Sequence, residues 1–344
     1  MADNLTAVVY GPKDFRLENL ERPEPGEKEV QISVQSCGIC ATDVKIYRYA
    51  KLTGLDIEMP FILGHEASGI VTKLGKEVTS LKLGDRVAAE PWRICRYCDL
   101  CKSGNYNLCN VKNLGKCLAR YVVLPEDFCH KIPEHIDFET AALAEPLSVA
   151  IRICTRAGIK LGDHVLVLGS GTIGIFTMQT AKCMGAASVT ITDCLSERLV
   201  HAKRLGADNT FLVKEQSIPE LVDELAKLIG KKPDVVIECA GAKPTIELGM
   251  KITKPTGCLL VAGLGPSRIE IPLFETLLSE IDIRGSLAYT NNYPRALNLL
   301  STGKVNIKGM ITHRFPLEKV EDAMKLFEEN PKDLVKIIID CSVE

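Results

Sequence analysis

Val165-Leu-Val-Leu168 runs directly into Gly169-Ser-Gly171-Thr-Ile-Gly174, and this stretch decides the fold of half the chain. Four apolar residues read as a strand buried on both faces. The six that follow are G-x-G-x-x-G, and Ile173–Met184 then reads as a helix. Alone the hexapeptide is a weak signal. Between a strand and a helix it is the fingerprint of a dinucleotide-binding turn. Gly169 permits the tight turn, Gly171 lets a pyrophosphate approach the backbone, and Gly174 allows close helix–strand packing. The helix N-terminus offers free N–H groups and a positive dipole end to the phosphates. Asp193 closes the next strand, about 20 residues on, where an acid hydrogen-bonds the ribose hydroxyls. A carboxylate there repels the 2′-phosphate of NADP, so NAD is the expected cofactor, although nearby Arg198 could stack on adenine or partly soften the choice.

The same alternation continues outward. Ser188–Thr192, Thr210–Val213, Asp234–Cys239 and Cys258–Ala262 read as strands, with a helix over Glu197–Leu205. Apolar strands alternating with helices predict a parallel sheet covered on both faces. Before residue 147 the pattern differs. Thr6–Tyr10, Glu29–Val34, Ala67–Leu74 and Arg86–Ala89 read as strands, broken by turns such as Pro23-Glu-Pro-Gly26, and predict an antiparallel barrel or folded sheet. A helix is expected at Tyr293–Ser301. A chain of 344 residues exceeds what one core sustains, so two domains are expected.

Lys plus Arg (42) nearly balance Asp plus Glu (44), which argues against a nucleic-acid or anionic-membrane surface. The N-terminus, Met1-Ala-Asp-Asn4, lacks the basic start and apolar run of a secretory signal, and no stretch is long enough to span a bilayer. A cytoplasmic location is expected. Fourteen cysteines in such a chain point to metal ligands or buried small side chains rather than disulfides.

Four of them are Cys95-x2-Cys98-x2-Cys101-x7-Cys109. Four thiolates in one loop suit a closed tetrahedral structural Zn²⁺. A nucleic-acid zinc knuckle is the alternative, disfavoured by the neutral charge and the lack of interleaved aromatics. A second set is dispersed: Cys40, His65-Glu66 and Glu145. One thiolate, one imidazole and carboxylates can hold Zn²⁺ with a position left for substrate. From spacing alone this set is weak, because lone Cys and His residues are more often structural.

The motifs together resemble the zinc-containing medium-chain dehydrogenases, and within them the polyol branch. The resemblance runs over nearly the whole chain. It rests on Gly38-Ile-Cys40, Gly64-His-Glu-Ala-Ser-Gly69, the cysteine lobe with Asn107-Leu-Cys109, Leu118-Ala-Arg-Tyr121, Glu145-Pro-Leu-Ser148, the glycine fingerprint, and Asp193 with Arg198. It implies a mostly β, barrel-like (GroES-like) catalytic domain over 1–147 and 284–344, with the zinc lobe at 95–109. A Rossmann doubly wound parallel sheet is inserted at 148–283. It implies Cys40, His65 and Glu66 as ligands of a catalytic zinc, with Glu145 either ligating it or holding a water there. Ile173, Asp193, Arg198, Ala262, Gly263, Leu264, Ser286, Leu287 and Ala288 fall where relatives contact NAD. The implied activity is reversible oxidation of a secondary alcohol, such as a polyol, to the ketone. Glu145 passes the proton, and Thr42 either hydrogen-bonds the reacting oxygen or caps a helix. A homo-oligomer, tetramer or dimer, is also implied.

The substrate-facing positions depart from the branch. Relatives usually carry His-Tyr where this chain has Lys45-Ile46, and Phe-Arg-Tyr where it has Leu287-Ala288-Tyr289. The segment Asn110 to Cys117 is also shorter than the relatives' loop. Tyr289 and Glu145 remain as polar handles. These changes predict a wider or more apolar pocket, because a multi-donor hydroxyl clamp is absent. A cofactor-binding relative without turnover is the non-enzymatic alternative.

Overall fold

The computed structural model describes residues 3–52, 55–329 and 331–343, so Met1-Ala2 of the N-terminal reading lie outside them. The chain forms two compact units. The first comprises Met1–Glu145, Thr290–Gly303 and Ile311–Glu344; the second comprises Pro146–Tyr289 and Lys304–Met310.

The first unit is built around the strand Glu29–Ile39, most of whose residues are buried on both faces. Its length lets it take two neighbours on one edge. Tyr121–Pro125 pairs with residues 29–33, and Lys336–Asp340 pairs with 36–39. Glu66–Leu74 runs antiparallel along the other edge, with a register shift near Val34. Arg86–Ala89 and Cys129–Lys131 extend the sheet. Val30, Ile32, Val34, Leu63, Val87, Ile337 and Ile339 form its core. The expected end of the central strand at Val34 falls five residues short. Polar Gln35 and Ser36 with Gly38 look like a break in the sequence, yet pairing to the C-terminal strand carries the ladder through them.

The second unit is a six-stranded parallel sheet of His164–Leu168, Ser188–Asp193, Asn209–Leu212, Val235–Glu238, Cys258–Val261 and Asp282–Gly285. Numbered in chain order the strands lie 3-2-1-4-5-6, the dinucleotide-binding arrangement. Helices Thr172–Cys183, Ser196–Arg204, Ile218–Ile229 and Lys243–Ile252 alternate with the strands. The return to the first unit, expected at 284, would cut the sixth strand in two. Asp282–Gly285 pairs in parallel with Cys258–Val261, so the return comes at Thr290. Residues 304–310 rejoin the second unit, where Gln179 and Asn306 exchange two hydrogen bonds of 2.9 and 2.6 Å. Among the described residues no helix is long and apolar enough to cross a membrane.

One clasp in this unit predicts a pH dependence. The Asp234 carboxylate accepts the His164 N–H (2.8 Å) and pairs with Lys254 and with Lys231 at 3.1 Å. Burial alone raises its pKa, but Lys254, the His164 N–H and Lys231 outweigh that and hold it down to about 2. A depressed carboxylate stabilises the fold above its unfolded value of 3.8 and loses that contribution as pH falls through about 2. Asp234→Asn is therefore expected to lower urea stability by a constant amount at neutral pH, with the gap closing between pH about 4 and 2. A gap independent of pH down to 2 contradicts this.

Candidate active site and metal centres

The central strand Glu29–Ile39 ends one residue before Cys40, which is the N-cap of the helix Ala41–Tyr49. Its thiol accepts the Thr42 N–H at 3.5 Å. Across the sheet, Gly38 lies opposite Glu66, the first residue of its strand, and His65 precedes it. The fold thus delivers a thiol, an imidazole and a carboxylate to one place. One ligand atom from each of Cys40, His65 and Glu66 lies within 4.8 Å of the others. His65 and Glu66 are buried. A thiolate, an imidazole and a carboxylate at this spacing fit a three-ligand zinc centre with an open position.

Asp43 orients this set. It is almost wholly buried, and its Oδ2 and Oδ1 accept the N–H groups of Cys40 (3.0 Å) and Gly64 (2.9 Å). Oδ1 also lies 3.4 Å from His65 Nδ1, which leaves Nε2 for a metal. Burial would raise the Asp43 pKa, but His65 and the two N–H groups bring it below the ordinary value. Conversely, burial opposes charge on His65, and Asp43 and Cys40 together hold its pKa well above the ordinary value. The sequence reading missed Asp43. Its signal was an acid at the third helical position after an N-cap, a capping box in which Cys40 replaces the usual hydroxyl.

The sulfur atoms of Cys95, Cys98, Cys101 and Cys109 also lie within 4.8 Å of one another. Cys95 is 3.8 Å from Cys101 and 3.6 Å from Cys109. The Cys98 N–H donates to Cys95 at 3.4 Å and helps pull that thiol down to about 6. Four sulfurs, one already favoured as a thiolate, fit a closed structural zinc site.

In the second unit each fingerprint glycine has its own reason. Gly169 has φ +103°, and its N–H donates to Thr192 O at 2.9 Å. A Cβ at Gly171 would meet nothing within 4 Å, so the approach to this backbone is open. A Cβ at Gly174 would lie 1.9 Å from Gly169 O. Asp193 is fixed by the N–H groups of Ser170 (2.8 Å) and Leu195 (3.0 Å), one on each oxygen. The N–H groups of Ala262 and Gly263 both reach Glu238 O, at 2.9 and 3.0 Å. Glu238, also missed in the sequence, braces the neighbouring turn. Its Oε1 accepts from Ala240 N, Gly241 N and the Thr245 hydroxyl.

The alcohol dehydrogenase GroES-like domain model matches residues 26–134, and the zinc-binding dehydrogenase model matches residues 172–302. Sorbitol dehydrogenase of Bos taurus is 42% identical over 98% of this chain and 96% of its own. The chain belongs to the zinc-containing medium-chain dehydrogenases. Among solved structures, 2R,3R-butanediol dehydrogenase from Bacillus subtilis superposes with a TM-score of 0.89 at 26% identity, covering 98% of this chain and 99% of that one. An alcohol dehydrogenase from Escherichia coli complexed with NADH gives 0.91 at 27%, with the same coverage.

As a member of this dehydrogenase family the chain is an NAD-dependent, zinc-containing oxidoreductase with a GroES-like domain and a Rossmann domain. Three of the four expected catalytic-zinc residues come together. Glu145 is buried in the first turn of the helix Ala144–Ala157 and stands outside the three-donor group. Thr42 is half-buried at the second helical position, where its backbone meets Cys40. Tyr289 is fully buried, Leu264 and Leu287 are exposed, and Ala288 has a left-handed φ of +47°. Ile46 is also buried, inside the core of the first unit.

Proposed function

We propose that the protein oxidises a secondary alcohol, of the polyol class that includes sorbitol and xylitol, to the ketone with NAD, and runs the reverse reduction. The observation that carries the reading is the Cys40–His65–Glu66 donor group with Asp43 behind it, in a chain that also keeps the whole dinucleotide fingerprint. When bound there, zinc supplies Lewis acidity to the alcohol oxygen, and NAD accepts the hydride. Cys40, His65 and Glu66 hold the metal. Glu145, buried and outside the donor group, takes the alcohol proton on its carboxylate. The Thr42 hydroxyl steadies the reacting oxygen. Gly171 and the helix behind it receive the pyrophosphate, and Asp193 receives the ribose hydroxyls. Ile173, Arg198, Ala262 to Leu264 and Ser286 to Ala288 complete the cofactor contacts. The four-cysteine lobe holds a second, structural zinc.

A less polar alcohol is the second reading. Ile46 is packed in the core, and Ala288 has no donor to offer a hydroxyl. Side-by-side kinetics on sorbitol, xylitol and less polar secondary alcohols separate the two. A hydroxyl-clamping site separates its substrate from analogues by roughly 10⁴ in kcat/KM, an apolar one by about 10² or less. The loss of the clamp predicts the smaller ratio. A ratio near 10⁴ in favour of sorbitol contradicts the open pocket and leaves the polyol reading standing.

We also propose a homo-oligomer in the cytoplasm. The helix Leu273–Ser279 turns Leu273, Phe274, Leu277 and Leu278 to solvent, each 66–75% exposed. Beside it Asp282–Gly285 is the edge strand of the parallel sheet. An apolar helix next to an open edge suits a second copy related by a twofold axis. Sedimentation of the wild type is expected to give a dimer or tetramer, and Phe274→Glu with Leu277→Glu a smaller species. A wild-type monomer contradicts this.

A further inference from the structure

Lys336 is almost completely buried, as is Glu66: both side chains are 2% exposed. Burying an ammonium group is strongly unfavourable unless it is paired. Its Nζ donates to Ile39 O at 3.0 Å and forms an ion pair with Glu66 Oε2. The sheet register explains how they meet. Glu66 lies opposite Gly38, and Gly38 lies opposite Ile338 on the C-terminal strand. Lys336 stands two residues before Ile338 and therefore shares its face. Gly38 is the residue between them. A Cβ there would lie 2.1 Å from Glu66 Oε2 and 2.9 Å from Lys336 Cε. The missing side chain opens a lane across the central strand, and the lysine reaches the carboxylate through it.

We infer that Lys336 is a positioning residue for the catalytic metal centre: it holds one oxygen of Glu66 through the lane over Gly38, so that the other is presented beside Cys40 and His65. Asp43 fixes His65 from one side of the donor group, and Lys336 fixes Glu66 from another. This rests on the catalytic-zinc reading above.

The test is zinc affinity by chelator competition, together with the visible spectrum of the cobalt(II)-substituted protein. Removing a partner behind a metal ligand typically costs 10–100-fold in affinity. Lys336→Met is expected to weaken the zinc held by Cys40, His65 and Glu66 by that factor and alter its cobalt bands, while the four-cysteine lobe keeps its metal. Lys336→Arg is expected to recover most of the affinity. Wild type with two zinc ions and Lys336→Met with two of unchanged affinity overturns the role of Lys336 alone. A wild type that holds only the lobe zinc overturns the metal reading, and this inference with it. If Lys336→Met also loses the lobe metal, so that the domain has not folded, Glu66→Gln is compared with Glu66→Gln/Lys336→Met. A residue acting through Glu66 adds no further loss there, and an additional loss overturns the inference.

Discussion

Cys40→Ser is expected to lower kcat by about 10³ or more while leaving NADH binding unchanged. A serine hydroxyl stays protonated where a thiolate is needed, so the three-donor group loses its softest and only sulfur ligand. A metal polarising the reacting oxygen contributes several kcal/mol, and about 4 kcal/mol corresponds to about 10³ in rate. The dinucleotide fingerprint lies in the second unit, and Cys40 in the first. NADH fluorescence titration is therefore expected to match wild type. Metal analysis is expected to show the lobe zinc retained. A variant with wild-type kcat contradicts the assignment of Cys40.

The second large effect concerns cofactor choice. Asp193→Ala is expected to shift the ratio of kcat/KM for NAD over NADP by about 10² to 10³ towards NADP. Both Asp193 oxygens are fixed by backbone N–H groups, which set its place at the strand end. Juxtaposing like charges costs several kcal/mol, and removing the carboxylate removes that cost for a 2′-phosphate. The loss with NAD comes from the ribose hydroxyls and from the two N–H groups left behind. Thermal melts without cofactor report how much of the change is loosening of the turn. An unchanged ratio means that Asp193 does not read the ribose.

Much of this was legible in the sequence because local pattern and tertiary role agree. The strand before Gly169, the glycine turn and Asp193 form one continuous stretch, and each glycine serves one steric need. The four cysteines are legible for the same reason, since their ligand geometry is local. The donors of the proposed catalytic centre are not. Cys40, His65, Glu66 and Lys336 are spread over almost the whole chain, and only the register of three strands through Gly38 brings them together. Gly38 in the sequence looks like a strand breaker; in the sheet it makes room for an ion pair. Family resemblance pointed to Cys40, His65 and Glu66 because those motifs recur. It passed over Asp43 and Lys336, whose roles are expressed only through the residues they touch. The return point at Thr290 escaped notice because Asp282–Gly285 reads Asp-Ile-Arg-Gly, with charges at alternate positions, and lacks the apolar run of the other strands. The helix Ile218–Ile229 was missed although Ser217 and Glu220 form a capping box at its start, a signal that was there to be read.

The central claim is that a zinc held by Cys40, His65 and Glu66 is required for NAD-linked oxidation of a secondary alcohol. NADH formation from sorbitol, xylitol and a less polar secondary alcohol tests it most directly. The assay uses one preparation as purified, after mild chelation that spares the lobe zinc, and after zinc is restored. NADH is expected to form with at least one of these alcohols, to stop on chelation and to return with zinc. Turnover that persists after the zinc at Cys40, His65 and Glu66 has gone contradicts the account. So does a protein that holds both zinc ions, binds NAD and oxidises none of them.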